Sequence, residues 1–159
     1  MGVQPPDLLI DRVHPDCEEA RTLIQELDAD LLLRYPRQWI HGLHPEDMQD
    51  GELIFLVVRL GTELVGCGAL RPLDAKMAEV KRMFVRSQFR RQGISRKILS
   101  TLETIAREKG CSTLRLETGT EQPESLALYR SAGYTQIPAY GEYIGDPYSI
   151  CFEKDLNLA

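Results

Sequence analysis

The run Arg90-Arg91-Gln92-Gly93-Ile94-Ser95-Arg96-Lys97 has the residue types of an anion site. It follows the apolar segment Met83-Phe84-Val85 and opens a helical pattern at Ile94, Ile98, Leu99, Leu102, Ile105 and Ala106. The first amides of a helix have no acceptor inside it and point outward at the positive end of the helix dipole. A Gly in the turn lets a bulky phosphate approach the backbone. Seven of the nineteen Lys and Arg residues lie between Lys81 and Lys97, and no acid falls between Glu79 and Glu103. In a chain of formal net charge -5, that concentration points to a polyanionic ligand.

Other chemistries fall away on spacing. Gly61-Thr62-Glu63-Leu64-Val65-Gly66 has the glycine spacing of a P-loop but continues as Cys67-Gly68, within a hairpin pattern. Gly66-Cys67-Gly68 lacks the third Gly and the following helix of a dinucleotide fingerprint. His41-x-x-His44 lacks the acid and the third ligand seen in zinc sites, so it reads as two loop histidines and no metal is expected. Cys17, Cys67, Cys111 and Cys151 form no C-x-x-C and read as small apolar groups in a reducing compartment. The acidic balance argues against nucleic acid as a partner. No apolar run reaches the roughly 20 residues of a membrane span, and the start of the chain does not read as a secretory signal. A cytoplasmic location is the expectation.

A chain of 159 residues suits one domain, taken as 1–159. Leu8 to Val13 reads as a strand. Asp16 to about Tyr35 reads as a helix, with Ala20, Leu23, Ile24, Leu27 and Leu31 on one face. Leu53 to Leu60 and Leu64 to Leu70 form a hairpin across Gly61-Thr62, and Lys76 to Val85 is the third strand of the meander. There the alternation of Ala78 and Val80 slips one residue before Met83 and Val85, which predicts a β-bulge near Lys81-Arg82. After the basic turn come a helix ended by Gly110, a strand over Thr113 to Thr118, and a helix starting at Pro123. Strands at Tyr134 to Ile137 and Ser149 to Lys154 close the chain. The order β-α-β-β-β-α-β-α-β-β implies an α/β fold, with a mixed sheet of about six to seven strands and helices on both faces.

Three motifs in this order resemble the GNAT superfamily of N-acetyltransferases. Arg90-x-x-Gly93-x-Ser95 is similar to the family's Gln/Arg-x-x-Gly-x-Gly/Ala phosphate motif, with Ser95 in the third place. Glu79-Val80-Lys81-Arg82-Met83-Phe84-Val85 resembles its central strand. Leu128-Tyr129-Arg130-Ser131-Ala132-Gly133-Tyr134 resembles its Leu-Tyr-x-x-x-Gly-Phe/Tyr signature, with Gln122 and Ser125 where Asn and Ala are usual. The resemblance spans roughly residues 8 to 155.

The resemblance implies acetyl-coenzyme A as co-substrate and an amine as acceptor. The amides of Arg91, Gln92, Gly93, Ile94, Ser95 and Arg96 would cradle the pyrophosphate, with Arg90 and Thr118 also at the cofactor. Met83, Phe84 and Val85 would pair with the pantetheine as an added strand, and the Met83 amide would polarise the thioester carbonyl. An amine of pKa about 10 is protonated at neutral pH and must lose a proton before it attacks. Glu79 stands where some members carry that base; read without the family it is a solvated strand Glu. Tyr129 stands where the family carries the acid for the departing thiolate; read without it, Tyr129 is a core aromatic. The acceptor would lie under residues 34–43 and 138–147. A small amine is expected there, with a peptide N-terminus as the alternative. A silent acyl-CoA-binding module is the other alternative, and a homodimer is compatible with the resemblance.

Overall fold

The computed structural model describes residues 7–49 and 51–157. Seven strands form one mixed sheet in the order β1-β2-β3-β4-β5-β7-β6. They are β1 (Leu8–Val13), β2 (Ile54–Leu60), β3 (Glu63–Pro72), β4 (Met77–Val85), β5 (Thr113–Gly119), β6 (Thr135–Ile137) and β7 (Ser149–Asp155). Three helices, α1 (Glu18–Leu32), α2 (Ile94–Glu108) and α3 (Pro123–Ser131), cover it. Among the described residues no helix is long and apolar enough to cross a membrane.

The apolar periodicities decide the faces. Ile98, Leu99, Leu102 and Ala106 of α2 join Tyr129 of α3 over Val80, Leu114, Leu116 and Phe152 in one core. Ala20 and Leu23 of α1 press on Phe55, Val57, Cys67 and Ala69 from the other side. Side chains alternate across a strand, so the β4 and β5 residues between the core positions face the α1 side. Those residues are Glu79, Lys81, Arg115 and Glu117, and they carry the chemistry.

Two features open the sheet at its centre. The parallel pairing of β4 with β5 runs from Met77↔Thr113 to Val80↔Leu116 and stops there. Beyond it, Lys81–Val85 and Glu117–Gly119 diverge. On the other edge of β4, the register with β3 shifts between Cys67 and Ala69, whose partners are Phe84 and Lys81. Three β4 steps thus oppose two on β3. The extra residue is the bulge anticipated from the slipped alternation, and Arg82 there sits at φ 56. Gly68 faces the bulge, where a Cβ would lie 2.6 Å from Ile98 and 3.0 Å from the Met83 sulfur. Only Gly lets α2 and Met83 close in at that point.

Candidate active site

Two cavities with shared wall residues lie at the opening between β4 and β5. The outer one, of about 710 Å³, is bordered by Met83, Phe84 and Val85 of β4, by Arg90, Arg91, Gly93, Ile94, Ser95 and Arg96 at the start of α2, and by α3. Its size is that of a cofactor cleft. Arg91 at φ 65 and Gly93 at φ 80 both adopt left-handed backbone, which turns successive amides of the turn toward one concavity. Gly93 is the N-cap of α2 and supplies no side-chain cap, so the helix's first amides remain available to an anion.

The charge of this region differs from its sequence. Acids from α1 and the loops reach four of the seven cations. Arg82 Nη1 lies 2.6 Å from Asp28, and Arg86 makes a two-pronged pair with Glu26 at 2.7 and 2.8 Å. Arg90 lies 3.9 Å from Asp30 and donates through Nε to the Val85 carbonyl at 2.8 Å. Lys81 Nζ lies 3.6 Å from Glu142. The cluster expected as a single polyanion site is therefore half structural, because α1 presents its acids across the sheet. Arg91, Arg96 and Lys97 remain exposed, and Arg96 reaches Ser131 Oγ at 2.6 Å.

The inner cavity, of about 90 Å³, lies on the α1 side. Tyr35, Trp39, Tyr143 and Tyr148 give it aromatic walls, and Lys81, His41 and Glu117 bring charge. Tyr129, Met83, Gln122 and Ser125 line both cavities. The Tyr129 ring is buried, edge-on to Tyr134 at 5.9 Å. Its hydroxyl makes no hydrogen bond among the described residues. Burial raises the phenol's pKa, with a further push from the Glu117 charge. The group stays protonated at neutral pH and has a hydrogen to donate.

A family model described as the acetyltransferase (GNAT) family matches residues 20–134. An IAA acetyltransferase of Azospirillum brasilense is 38% identical over 152 residues, covering 95% of this chain and 99% of the relative. The chain belongs to the GNAT acetyltransferase family. A solved structure from Klebsiella pneumoniae, assigned as an acyl-CoA N-acyltransferase, superposes with TM-score 0.79 at 36% identity, covering 94% of this chain and 97% of the other. A GNAT acetyltransferase from Elizabethkingia anophelis, solved with acetyl-CoA bound, shares the fold at TM-score 0.67 and 18% identity, covering 93% and 97%.

Within this GNAT fold, the residues singled out in the sequence separate into groups. Met83, Phe84, Val85, Arg90, Arg91, Gly93, Ile94, Ser95, Arg96 and Tyr129 converge on the outer cleft. Thr118 lines the inner cavity instead, and Gln92 lines neither of the two. Glu79 also lines neither. It is 1% exposed and saturated by Arg71 at 3.3 Å, Tyr143 Oη at 3.0 Å and the Tyr140 hydroxyl.

The carboxylate that does line the inner cavity is Glu117, one strand away. Burial raises its pKa, partly offset by a hydrogen bond from Ser149 and by the nearby His41 and Lys81. A signal for it existed. The alternation Leu114, Arg115, Leu116, Glu117 puts two charged residues on one face of a strand whose other face is core. The fold supplies the two loop histidines with the acids their sequence neighbourhood lacks. His41 Nε2 lies 2.6 Å from Asp146, and His44 Nε2 lies 2.7 Å from Glu142.

Proposed function

We propose that this chain transfers an acetyl group from acetyl-CoA to the amine of a small molecule, by direct attack within a ternary complex. The observation that carries this reading is the shared wall. One cavity has the size and helix terminus for a nucleotide-bearing thioester, the other is a small aromatic chamber with a carboxylate, and Tyr129 and Met83 border both. The acetyl-CoA seen in the Elizabethkingia anophelis neighbour and the acyl-CoA assignment of the Klebsiella pneumoniae structure support the donor.

In this reading the turn amides of Arg91 through Arg96 hold the pyrophosphate. The β4 edge at Met83, released from β5 by the splay, pairs with the pantetheine amides, and the Met83 amide polarises the thioester carbonyl. Val85 contributes less than the sequence implied, because its carbonyl already accepts from Arg90. Glu117 takes the proton of the incoming ammonium, its raised pKa bringing it closer to a useful base strength. Tyr129 protonates the departing thiolate. Glu79 acts at one remove, fixing Tyr143 in the chamber wall. A chamber of about 90 Å³ favours a small amine over a peptide, and the whole of 1–159 serves as one catalytic domain.

The test is turnover of acetyl-CoA with pools of small amines, read as released thiol. Tyr129→Phe is expected to lower kcat roughly 10²–10⁴-fold while calorimetric acetyl-CoA affinity holds. Glu117→Gln should fall comparably, and Glu79→Gln by less. Acetyl-CoA binding without thiol release from any amine would leave a silent binding module. A full rate in Tyr129→Phe would remove the assigned acid.

A further inference from the structure

The β4–β5 ladder stops at Val80↔Leu116. Carried one step further, its register would set Lys81 against Glu117. Both stand on the α1 face of the sheet. Paired strands lie about 4.8 Å apart, near enough for opposite charges to meet directly. Here the strands diverge, and among the described residues no ion pair joins Lys81 to Glu117. Both line the inner cavity. The chamber thus holds a cation and a carboxylate apart across a gap, with Lys81 still near enough to favour ionisation of Glu117.

Lys81 keeps donors that its protein neighbours do not use. Its side chain is 4% exposed, and an ammonium has three hydrogens to donate. Among the described residues, Nζ donates to Tyr143 Oη at 3.1 Å. The carboxylates of Glu142 and Glu79 stand at 3.6 and 3.8 Å, beyond hydrogen-bond distance. Both are engaged elsewhere. Glu79 accepts from Arg71, Tyr143 and Tyr140, and Glu142 meets His44 at 2.7 Å. The other basic groups of the chamber are taken. Arg82 gives Nη1 to Asp28 at 2.6 Å and Nη2 to the His41 carbonyl at 3.2 Å. His41 Nε2 lies 2.6 Å from Asp146. Unused hydrogens on a buried ammonium are unfavourable, and a carboxylate is the acceptor that satisfies them best.

Much of the remaining wall is apolar. Leu27, Leu31, Trp39 and the rings of Tyr35 and Tyr148 line the chamber. Tyr35 turns its hydroxyl away into the loop before α3, toward Gln122 at 3.2 Å and the Glu121 amide at 3.0 Å. A Cβ on Gly119 would overlap that hydroxyl, so bare backbone at this point lets the ring close the wall.

We propose that the acceptor is a free apolar α-amino acid, whose carboxylate binds Lys81 while its amine lies at Glu117. This rests on the acetyltransfer reading and names its substrate class. An amine and a carboxylate on one carbon match two opposite charges on adjacent strands, and the side chain meets the aromatic and aliphatic wall. A plain amine would bring its ammonium near Lys81 with nothing to offset the repulsion. The bond changes stay those of acetyl transfer. The nitrogen–carbonyl bond forms as the carbon–sulfur bond breaks. One ammonium proton goes to Glu117, the sulfur takes a proton from Tyr129, and the nitrogen's second proton makes good that loss. The products are an N-acetyl amino acid, the CoA thiol and one proton. Lys81 exchanges no proton; it is a binding residue.

The experiment measures thiol release from acetyl-CoA with valine, leucine, methionine and phenylalanine, each beside the amine that lacks its carboxylate. At least one amino acid should exceed its matched amine about 10- to 100-fold in kcat/KM, the range of a hydrogen bond to a charged group. Lys81→Met should remove that preference while calorimetric acetyl-CoA affinity holds. Comparing the ratio in the two proteins cancels the amines' own reactivities. A merely structural Lys81 would lower both rates alike and leave the ratio intact. Lys81→Gln, closer in shape and still a donor, stands in if Lys81→Met fails to bind acetyl-CoA, and should lose most of the preference. Matched amines, polyamines or peptide N-termini turning over as fast as every amino acid, or faster, overturn the inference and leave the acetyltransfer reading standing. A Lys81 variant that binds acetyl-CoA and keeps the preference overturns it too. Acetyl-CoA binding with no thiol release from any of these compounds overturns the acetyltransfer reading and the inference with it.

Discussion

Substitution of Gly93 separates the two properties assigned to the phosphate turn. Gly93 sits at φ 80, and a Cβ built there meets nothing within 4 Å. Packing therefore costs nothing, and the fold feels only the backbone. An L-residue in left-handed backbone costs about 1–2 kcal/mol, less for Asn or Asp. For a domain of this size each kcal/mol lowers Tm by about 2–4 °C. Gly93→Asn and Gly93→Asp share that strain and nearly the same shape, so their difference is charge. A carboxylate about 5 Å from the pyrophosphate at an effective dielectric of about 40 meets about 1.7 kcal/mol of repulsion per unit charge. Two phosphate charges, reduced up to twofold by salt, give about 1.7–3.4 kcal/mol, or about 20- to 300-fold in Kd. Gly93→Asn should bind acetyl-CoA somewhat more weakly than the wild type, and Gly93→Asp a further 20- to 300-fold more weakly, on the order given by the same charge repulsion. Isothermal calorimetry measures the affinities, and a melting curve confirms the fold. A folded Gly93→Asp variant with wild-type affinity would refute the placement of the pyrophosphate.

Three further outcomes follow from the charge map. Dephospho-CoA should bind more weakly than CoA through loss of contact with Arg91 or Arg96, and Arg91→Ala with Arg96→Ala should abolish that difference in a calorimetric comparison. Asp28→Asn leaves the buried Arg82 guanidinium without its carboxylate; because Asp28 is itself half exposed, the loss should be about 2 kcal/mol, read by denaturant unfolding, and no change would make the pair a surface contact. Asp146 is held below the usual carboxylate range, so its contribution is present above its unfolded pKa of about 3.9 and disappears as pH falls through the lower folded value. Asp146→Asn should accordingly destabilise at neutral pH, with the gap from wild type closing below about pH 4 in melting curves across pH.

Local patterns in the sequence determined a good deal. The order of strands and helices, the bulge at Arg82, the basic turn and the position of Tyr129 on α3 are each written within a few residues. Period-two and period-3.6 alternation, a slipped register and a Gly before an amphipathic helix need no distant partner to be recognised. The GNAT family follows from the same short motifs taken in order. What the sequence could not show is which charges meet. Glu26, Asp28 and Asp30 neutralise Arg86, Arg82 and Arg90 only because α1 folds across the sheet from β4. Glu79 and Glu117 look alike as polar positions on neighbouring strands. Which of them faces a cavity depends on where the β4–β5 pairing ends and on the tyrosines of the loop before β7. His41 and Asp146 stand 105 residues apart, and Ser149 joins that loop to Glu117. Electrostatic and hydrogen-bonding partners act over a few ångströms whatever their separation along the chain. The carboxylate proposed as the base was therefore decided by tertiary structure, whereas the turn proposed to hold the phosphates, built from consecutive backbone amides, was already present in the sequence.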